Sequence, residues 1–592
     1  MKERKDIEER YKWDLSPLCK NDEDFYAKIE TMKGFIPKFT AFQGKLNTKE
    51  NLKAYFALNR EFEDVFSKTY LYAYIKSDEI LSDNERTKLI ETADKFESDF
   101  SVATAFITNE LNSLSDEFLD QLIADPDFKD QDLIFKDIKR SRKHILSEKE
   151  EKLLAGMDFL GTFTSNMRKL TDADFKFGQV EDSQGNKIEL NQGNRAKLMI
   201  SPDRTLRKNV LQRILQVYAD HKNVLANNYI GNVKATCYMA KIRNYSSALA
   251  ASLEGDEVDE RIYSNLISNV RKNIPLINRF YDLKRRELGL EEIYGYDISV
   301  EEIANTKTRE FTYEGAIKQI KEALSPFGEK YLAGIDEMVA NRRLDVFPNK
   351  DKRTGGYSTV IGKCPSFILY NFSGTMSDAI GIAHEFGHAM HTLYSAQSQP
   401  AEKDGHCTFL AEIASTTNEI LFFNHLLKTA SSNEEKRAII NRLFIEVDAA
   451  IFGQTKLAEF EEKIHTMCEQ GQPLSRDVLA DVFAQLQNDY NGIIKTSENS
   501  KYAWSRIPHL FTDFYVYCYA TGMIAAIAFA NNILSGKEGA LEGYYSFLKA
   551  GSSADPATIL KNAGCDMLDE KTYTSCFEYL SSLLDEWEKL IK

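Results

Sequence analysis

The chain has few turn-forming residues: of its 592 residues only 30 are glycine and 12 are proline. That is about 7% where roughly 12% is usual. Few loops and much helix are therefore expected. Long hydrophobic runs are also missing. The best, Thr521 to Leu534, is short of the roughly 20 residues a membrane span needs and carries Asn531 and Asn532. It reads as a buried helix, and no membrane partner is expected. Residues Met1 to Tyr11 hold eight charges and no apolar stretch, so no secretory signal is read there. Positive charge is scarce: 75 Lys and Arg stand against 90 Asp and Glu, a net −15. A nucleic-acid partner would call for a basic footprint. The eight cysteines form no C-x-x-C pair, which suggests free thiols in a reducing cytoplasm.

Apolar residues make up 43% and charged residues 28%, the composition of a soluble globular chain. A chain this long exceeds what one core can bury, so several lobes are expected. The first lobe, 1–113, shows helical spacing. Leu52, Tyr55, Phe56, Leu58, Phe62, Val65 and Phe66 follow one stripe at i, i+3/i+4. A second lobe, 114–195, ends in the first strand-like segment, Phe175 to Leu190, with a turn at Gln184-Gly185-Asn186. From Ser201 to about Arg343 helices resume. The third region, 196–592, carries three short β-prone runs, Leu344–Phe347, Tyr357–Ile361 and Phe367–Phe372. Glycine and proline separate them, which predicts a small antiparallel sheet. The fold class is mainly α, a multi-lobed helical assembly with that sheet beside one chemically marked helix.

Histidine is rare, nine in all, yet seven fall between positions 384 and 509. Among them stands His384-Glu385-Phe386-Gly387-His388, on a helix opened by the capping pattern Thr375-Met376-Ser377-Asp378. Residues four apart on a helix lie about 6 Å along its axis and roughly 40° around it. The two imidazoles can therefore converge on one tetrahedral Zn²⁺. Glu385, rotated by about 100°, projects beside the metal. There a carboxylate can take a proton from the attacking water, whose pKa zinc brings down to about 7. This is the H-E-x-x-H arrangement of zinc peptidases, which hold extended substrate as an added strand. The third ligand must come from elsewhere. Glu412, in Ala411–Thr416, leads, with Glu419 and His391 behind it. His406 and Cys407 are metal-capable, but a fourth protein ligand would leave no place for water.

A second constellation is Arg506-Ile507-Pro508-His509, followed by Tyr515, Tyr517 and Tyr519. Tyr515 and Tyr519 read as core aromatics, while His509 and one phenol are suited to donate hydrogen bonds to an oxyanion. Taken together, HEFGHAMH from His384, AEIASTTNE from Ala411 and RIPH…FYVYCYATG from Arg506 resemble oligoendopeptidase F, of the thimet-oligopeptidase-like zinc peptidases. The likeness extends to Tyr11–Pro17, Asn244–Ala248 and Tyr370–Phe372, and so spans the chain. It implies one Zn²⁺ on His384, His388 and Glu412, Glu385 as general base, and His509 with Tyr517 at the scissile carbonyl. It also implies short peptides as substrates, cut at internal bonds in a channel that excludes folded proteins. The rivals are a zinc exopeptidase of the same build (a dipeptidyl carboxypeptidase or carboxypeptidase) and a peptide-binding protein without turnover.

Overall fold

The computed structural model describes residues 2–157, 161–301 and 309–591. Most of this chain is helix, and several of the helices begin where the sequence supplies an acceptor for their unpaired N–H groups. Thr48 caps the longest, Lys49–Asp78, by accepting from the Asn51 N–H. Asp203, Ser432 and Ser475 do the same for later helices. The helical run expected from 201 to 343 is observed on both sides of residues 302–308, which lie outside the described residues.

The strand-like segment near 180 is a two-stranded antiparallel ribbon, β1 (Gln179–Glu181) with β2 (Lys187–Glu189). Its turn carries Gly185 at φ 81°, a left-handed conformation that glycine adopts without strain. The second sheet has three strands: β3 (Leu344–Asp345), β4 (Tyr357–Thr359) and β5 (Phe367–Leu369), in the order β3-β5-β4. It differs from expectation in one pairing. β4 runs antiparallel to β5, but β3 runs parallel to it. The chain leaves β3, turns back through β4 and reverses again, so β3 and β5 point the same way.

β5 is the central strand, and Phe367, Ile368 and Leu369 are all fully buried. Successive strand residues face opposite sides. Phe367 and Leu369 pack into a core built from the N-terminal helices, with Trp13, Phe56 and Phe135. Ile368 points the other way, into the large core of the C-terminal half. A third, smaller core lies around Phe175, Phe177 and Tyr218. The sheet is tied to the chain start by buried charges. Asp345 pairs with Arg4 at 2.6 Å and Lys352 at 2.7 Å, and Arg4 also meets Glu79 at 2.8 Å.

Three helices dominate the large core: the motif helix Met376–Ser398, the carboxylate helix Thr408–Lys428 and the aromatic helix Tyr517–Leu534. The aromatic helix is long and apolar enough to cross a membrane, but 78% of it is buried inside the molecule.

Candidate metal centre

Thr375 and Asp378 form the capping box expected of them, each side chain bonding the other's backbone N–H. The motif helix then runs without interruption through both histidines. Gly387, between them, allows the carboxylate helix to come close: a Cβ at that position would stand 2.4 Å from the Ser415 Cα. Cross-links on either side of this contact show the helices to be antiparallel. The Asn418 amide donates to the Ala383 carbonyl at 3.0 Å, while Glu412 meets His388 further along.

This crossing brings three donor atoms to one point. His384 Nε2 and His388 Nε2 lie 3.0 Å apart, and Glu412 Oε2 is 3.4 Å from each. A tetrahedral ion bound at 2.0–2.1 Å sets its ligand atoms about 3.3 Å apart. The triangle therefore has the dimensions of one face of such a tetrahedron, with its fourth corner free. The His384 ring is oriented from behind, its Nδ1 lying 2.8 Å from Glu419 Oε1. A proton on Nδ1 leaves the Nε2 lone pair for a metal. Two imidazole nitrogens with one carboxylate and an open position match zinc in catalytic sites.

The electrostatics fit a cation. Burial opposes charge on His384, yet Glu419, Glu385 and Glu412 outweigh it and raise its pKa to about 9. For Glu412 burial works upward, but His388 and His384 bring it down to about 2. Glu385 is separate from the converging trio. Burial raises its pKa, the two histidines oppose the rise and Glu412 adds to it. Its carboxylate meets the backbone N–H of Ser358 on β4, and Oε2 is buried without a hydrogen-bond partner. The Ser358 contact is not readable from the sequence, since it joins an edge strand to a helix far along the chain.

Among the described residues, His384, His388 and Glu412 are the one group of three or more such side chains close enough to share an ion. His391 is buried, stacked on His406 at 4.1 Å and tilted against Phe547 at 4.7 Å. Burial holds its pKa well below the ordinary histidine value. His406 is lowered to about 4, chiefly by burial. Burial pushes the Cys407 thiol up to about 11, and its sulfur is not among the donor atoms that converge.

The second constellation needs a correction. Tyr517 does not face His509. It is 2% exposed and packs between Tyr263 at 5.3 Å and Phe409 at 5.9 Å. Tyr515 and Tyr519, read as core, instead surround exposed His509, each with its ring centroid 6.0 Å away. Their hydroxyls lie 3.2 Å apart. The cause is helix register. Gly522 faces Glu412, where a Cβ would be 3.6 Å from the Glu412 Cβ. Tyr519 is three residues back on the same face, whereas Tyr517 is rotated into the core.

The histidine pair, the opposed carboxylate and the neighbouring Glu385 make up an H-E-x-x-H metallopeptidase motif on a helical fold. A family model described as peptidase family M3 matches residues 197–579, and one described as oligopeptidase F matches 110–177. The chain is 32% identical to oligopeptidase PepF of Bacillus subtilis, covering 100% of this chain and 88% of the relative. It superposes on the crystal structure of a peptidase from Chlamydophila abortus with a TM-score of 0.93, at 31% identity and with full coverage of both chains. Oligoendopeptidase-F from Enterococcus faecium gives a TM-score of 0.71 at 29% identity, covering 96% of this chain and 99% of that one. The chain belongs to peptidase family M3, the zinc metalloendopeptidases.

Proposed function

We propose that the protein cuts internal bonds of short, extended oligopeptides. In this reading His384, His388 and Glu412 hold one zinc ion, and Glu385 is the general base. His509 with Tyr515 or Tyr519 donates to the scissile carbonyl oxygen. The observation that carries it is the donor triangle of 3.0, 3.4 and 3.4 Å with Glu385 beside it. When bound, zinc lowers the pKa of water and polarises the carbonyl.

Glu385 is desolvated, which favours its protonated form and makes it a stronger base when ionised. Glu419 holds the His384 ring in place. β4 is an edge strand that pairs with β5 alone among the described strands, and it lies against Glu385. That supports an extended peptide laid along it, its bond presented to the base. The half-buried Tyr515 and Tyr519 and the exposed His509 can reach such a substrate. The eight free cysteines, six of them buried, support a reducing, cytoplasmic setting. The net charge of −15 favours a peptide over a nucleic acid as partner.

The test is digestion of a flexible peptide blocked at both ends. Cleavage at an internal bond is expected, lost with a chelator and restored by zinc, while a folded protein containing the same segment is spared. Cleavage only of free-ended peptides, releasing single residues or dipeptides, would show an exopeptidase instead. Zinc binding without any cleavage would show a peptide-binding protein.

The phenol assignment has its own test. Tyr515→Phe or Tyr519→Phe should lower kcat by roughly 10²–10³ with little change in KM, as loss of an oxyanion donor does. Tyr517→Phe should leave kcat near wild type. A large kcat loss at 517 alone would return the role to that residue.

A further inference from the structure

Away from the zinc centre, the helix Arg204–Asp220 and the segment 487–506 enclose a cavity of about 400 Å³. Lys208, Lys495 and Arg506 line it, and no carboxylate does. In a chain with more acid than base, three cations facing one space without an acid among them call for an explanation.

Arg506 is the least compensated. Its Nε is buried without a hydrogen-bond partner among the described residues. Burial lowers its pKa, Tyr218 opposes that, and neighbouring Arg195 adds repulsion. A desolvated guanidinium is costly unless an anion joins it. Lys208 likewise has no acidic partner, and Lys495 meets only Glu292, at 3.7 Å from outside the lining. The position of Lys495 is fixed, since its backbone N–H donates to the Ile293 carbonyl at 2.9 Å.

The remaining lining suits an oxyanion. Thr496, Ser497 and Ser500 present hydroxyls and Gln212 an amide. Tyr294, stacked on Tyr296 at 5.2 Å and 6°, forms an aromatic wall. An arginine fork with several further donors matches a tetrahedral oxyanion of charge near −2 better than a single carboxylate. The volume exceeds that of one bare phosphate, leaving room for an organic part.

We propose that this cavity is a binding site for a phosphate-bearing small molecule, its oxyanion held by Arg506 with Lys208 and Lys495. The site is independent of the peptidase reading. Arg506 nonetheless ends the 3₁₀ segment Glu498–Arg506 that leads into His509, so the ligand shares an anchor with that residue.

The experiment is calorimetric titration of the full-length zinc-loaded protein at constant ionic strength with inorganic phosphate, adenosine monophosphate and adenosine. Phosphate and the monophosphate should each saturate one site per chain, and adenosine should not bind. Tighter binding of the monophosphate assigns a phosphate ester, and equal binding assigns free phosphate. Arg506→Gln should weaken binding by at least about tenfold, or 1.4 kcal/mol. Because that variant removes a partly buried group, exposed Lys208→Gln and Lys495→Gln provide the check, each weakening binding about tenfold in a folded protein. Absence of saturable binding by both anions would overturn the proposal. So would binding that Lys208→Gln and Lys495→Gln leave unchanged, the result expected if phosphate met only the zinc centre.

Discussion

Glu385→Gln should lower kcat/KM on a peptide by about 10³–10⁴, near the upper end of what a general base contributes, while zinc content stays at the wild-type level. The two halves of this result have separate causes. Glu385 is not one of the atoms converging on the metal position, so removing its charge does not dismantle the triangle of His384, His388 and Glu412. The amide keeps the volume of the carboxylate and can still accept from the Ser358 N–H that meets this side chain, so the local packing is preserved. What it cannot do is take a proton from the attacking water. His384→Ala or His388→Ala should instead lose metal and activity together. Metal analysis beside a peptide assay checks both. Loss of zinc from Glu385→Gln would mean that the residue ligates, and retained hydrolysis would mean that another group is the base.

The second large effect separates Glu412 from Glu419, two carboxylates on one face of the same helix. Glu412→Gln should cost far more zinc affinity than Glu419→Gln, for which about 10–100-fold is the expected limit. Glu412 Oε2 is equidistant from both Nε2 atoms at 3.4 Å, as a shared ion requires. Glu419 Oε1 contacts the opposite nitrogen of His384, Nδ1, at 2.8 Å. A glutamine at 419 still offers an oxygen to the Nδ1 proton, so the ring keeps its orientation and loses only the carboxylate's charge. A glutamine at 412 replaces an anionic ligand with a weak neutral one. Competition with a chromophoric chelator measures the two dissociation constants. Equal losses, or a greater loss at 419, would sink the assignment.

Much of this site is legible in the sequence itself. The capping pattern at Thr375 and the spacing of His384 and His388 are local features, set by helix geometry within one segment. Spacing alone hardly separates Glu412 from Glu419, because their level depends on the path of the loop near Pro400 and Gly405. The close approach at Gly387, which a sequence pattern does not announce, sets Glu412 level with both Nε2 atoms and leaves Glu419 behind the His384 ring. The tyrosines show a different limit. Tyr515, Tyr517 and Tyr519 alternate like strand residues, so the pattern cannot tell which faces the cleft. That depends on where the aromatic helix starts and on Gly522 packing over Glu412. The parallel pairing of β3 with β5 was hidden for a similar reason, since it is fixed by tertiary contacts and not by the short apolar runs themselves.

The two-sided burial of β5 also bears on how the chain assembles. The N-terminal helices emerge first during synthesis, yet their core includes Phe367 and Leu369, which are made much later. Until then that core presents an unfilled apolar face to the cell, a surface suited to a chaperone or to misassociation. Closure of the N-terminal lobe is therefore coupled to arrival of the strand that sets β4 beside Glu385. A nascent chain truncated before 367 should remain protease-sensitive in its first 140 or so residues, and one extended past β5 should gain protection there.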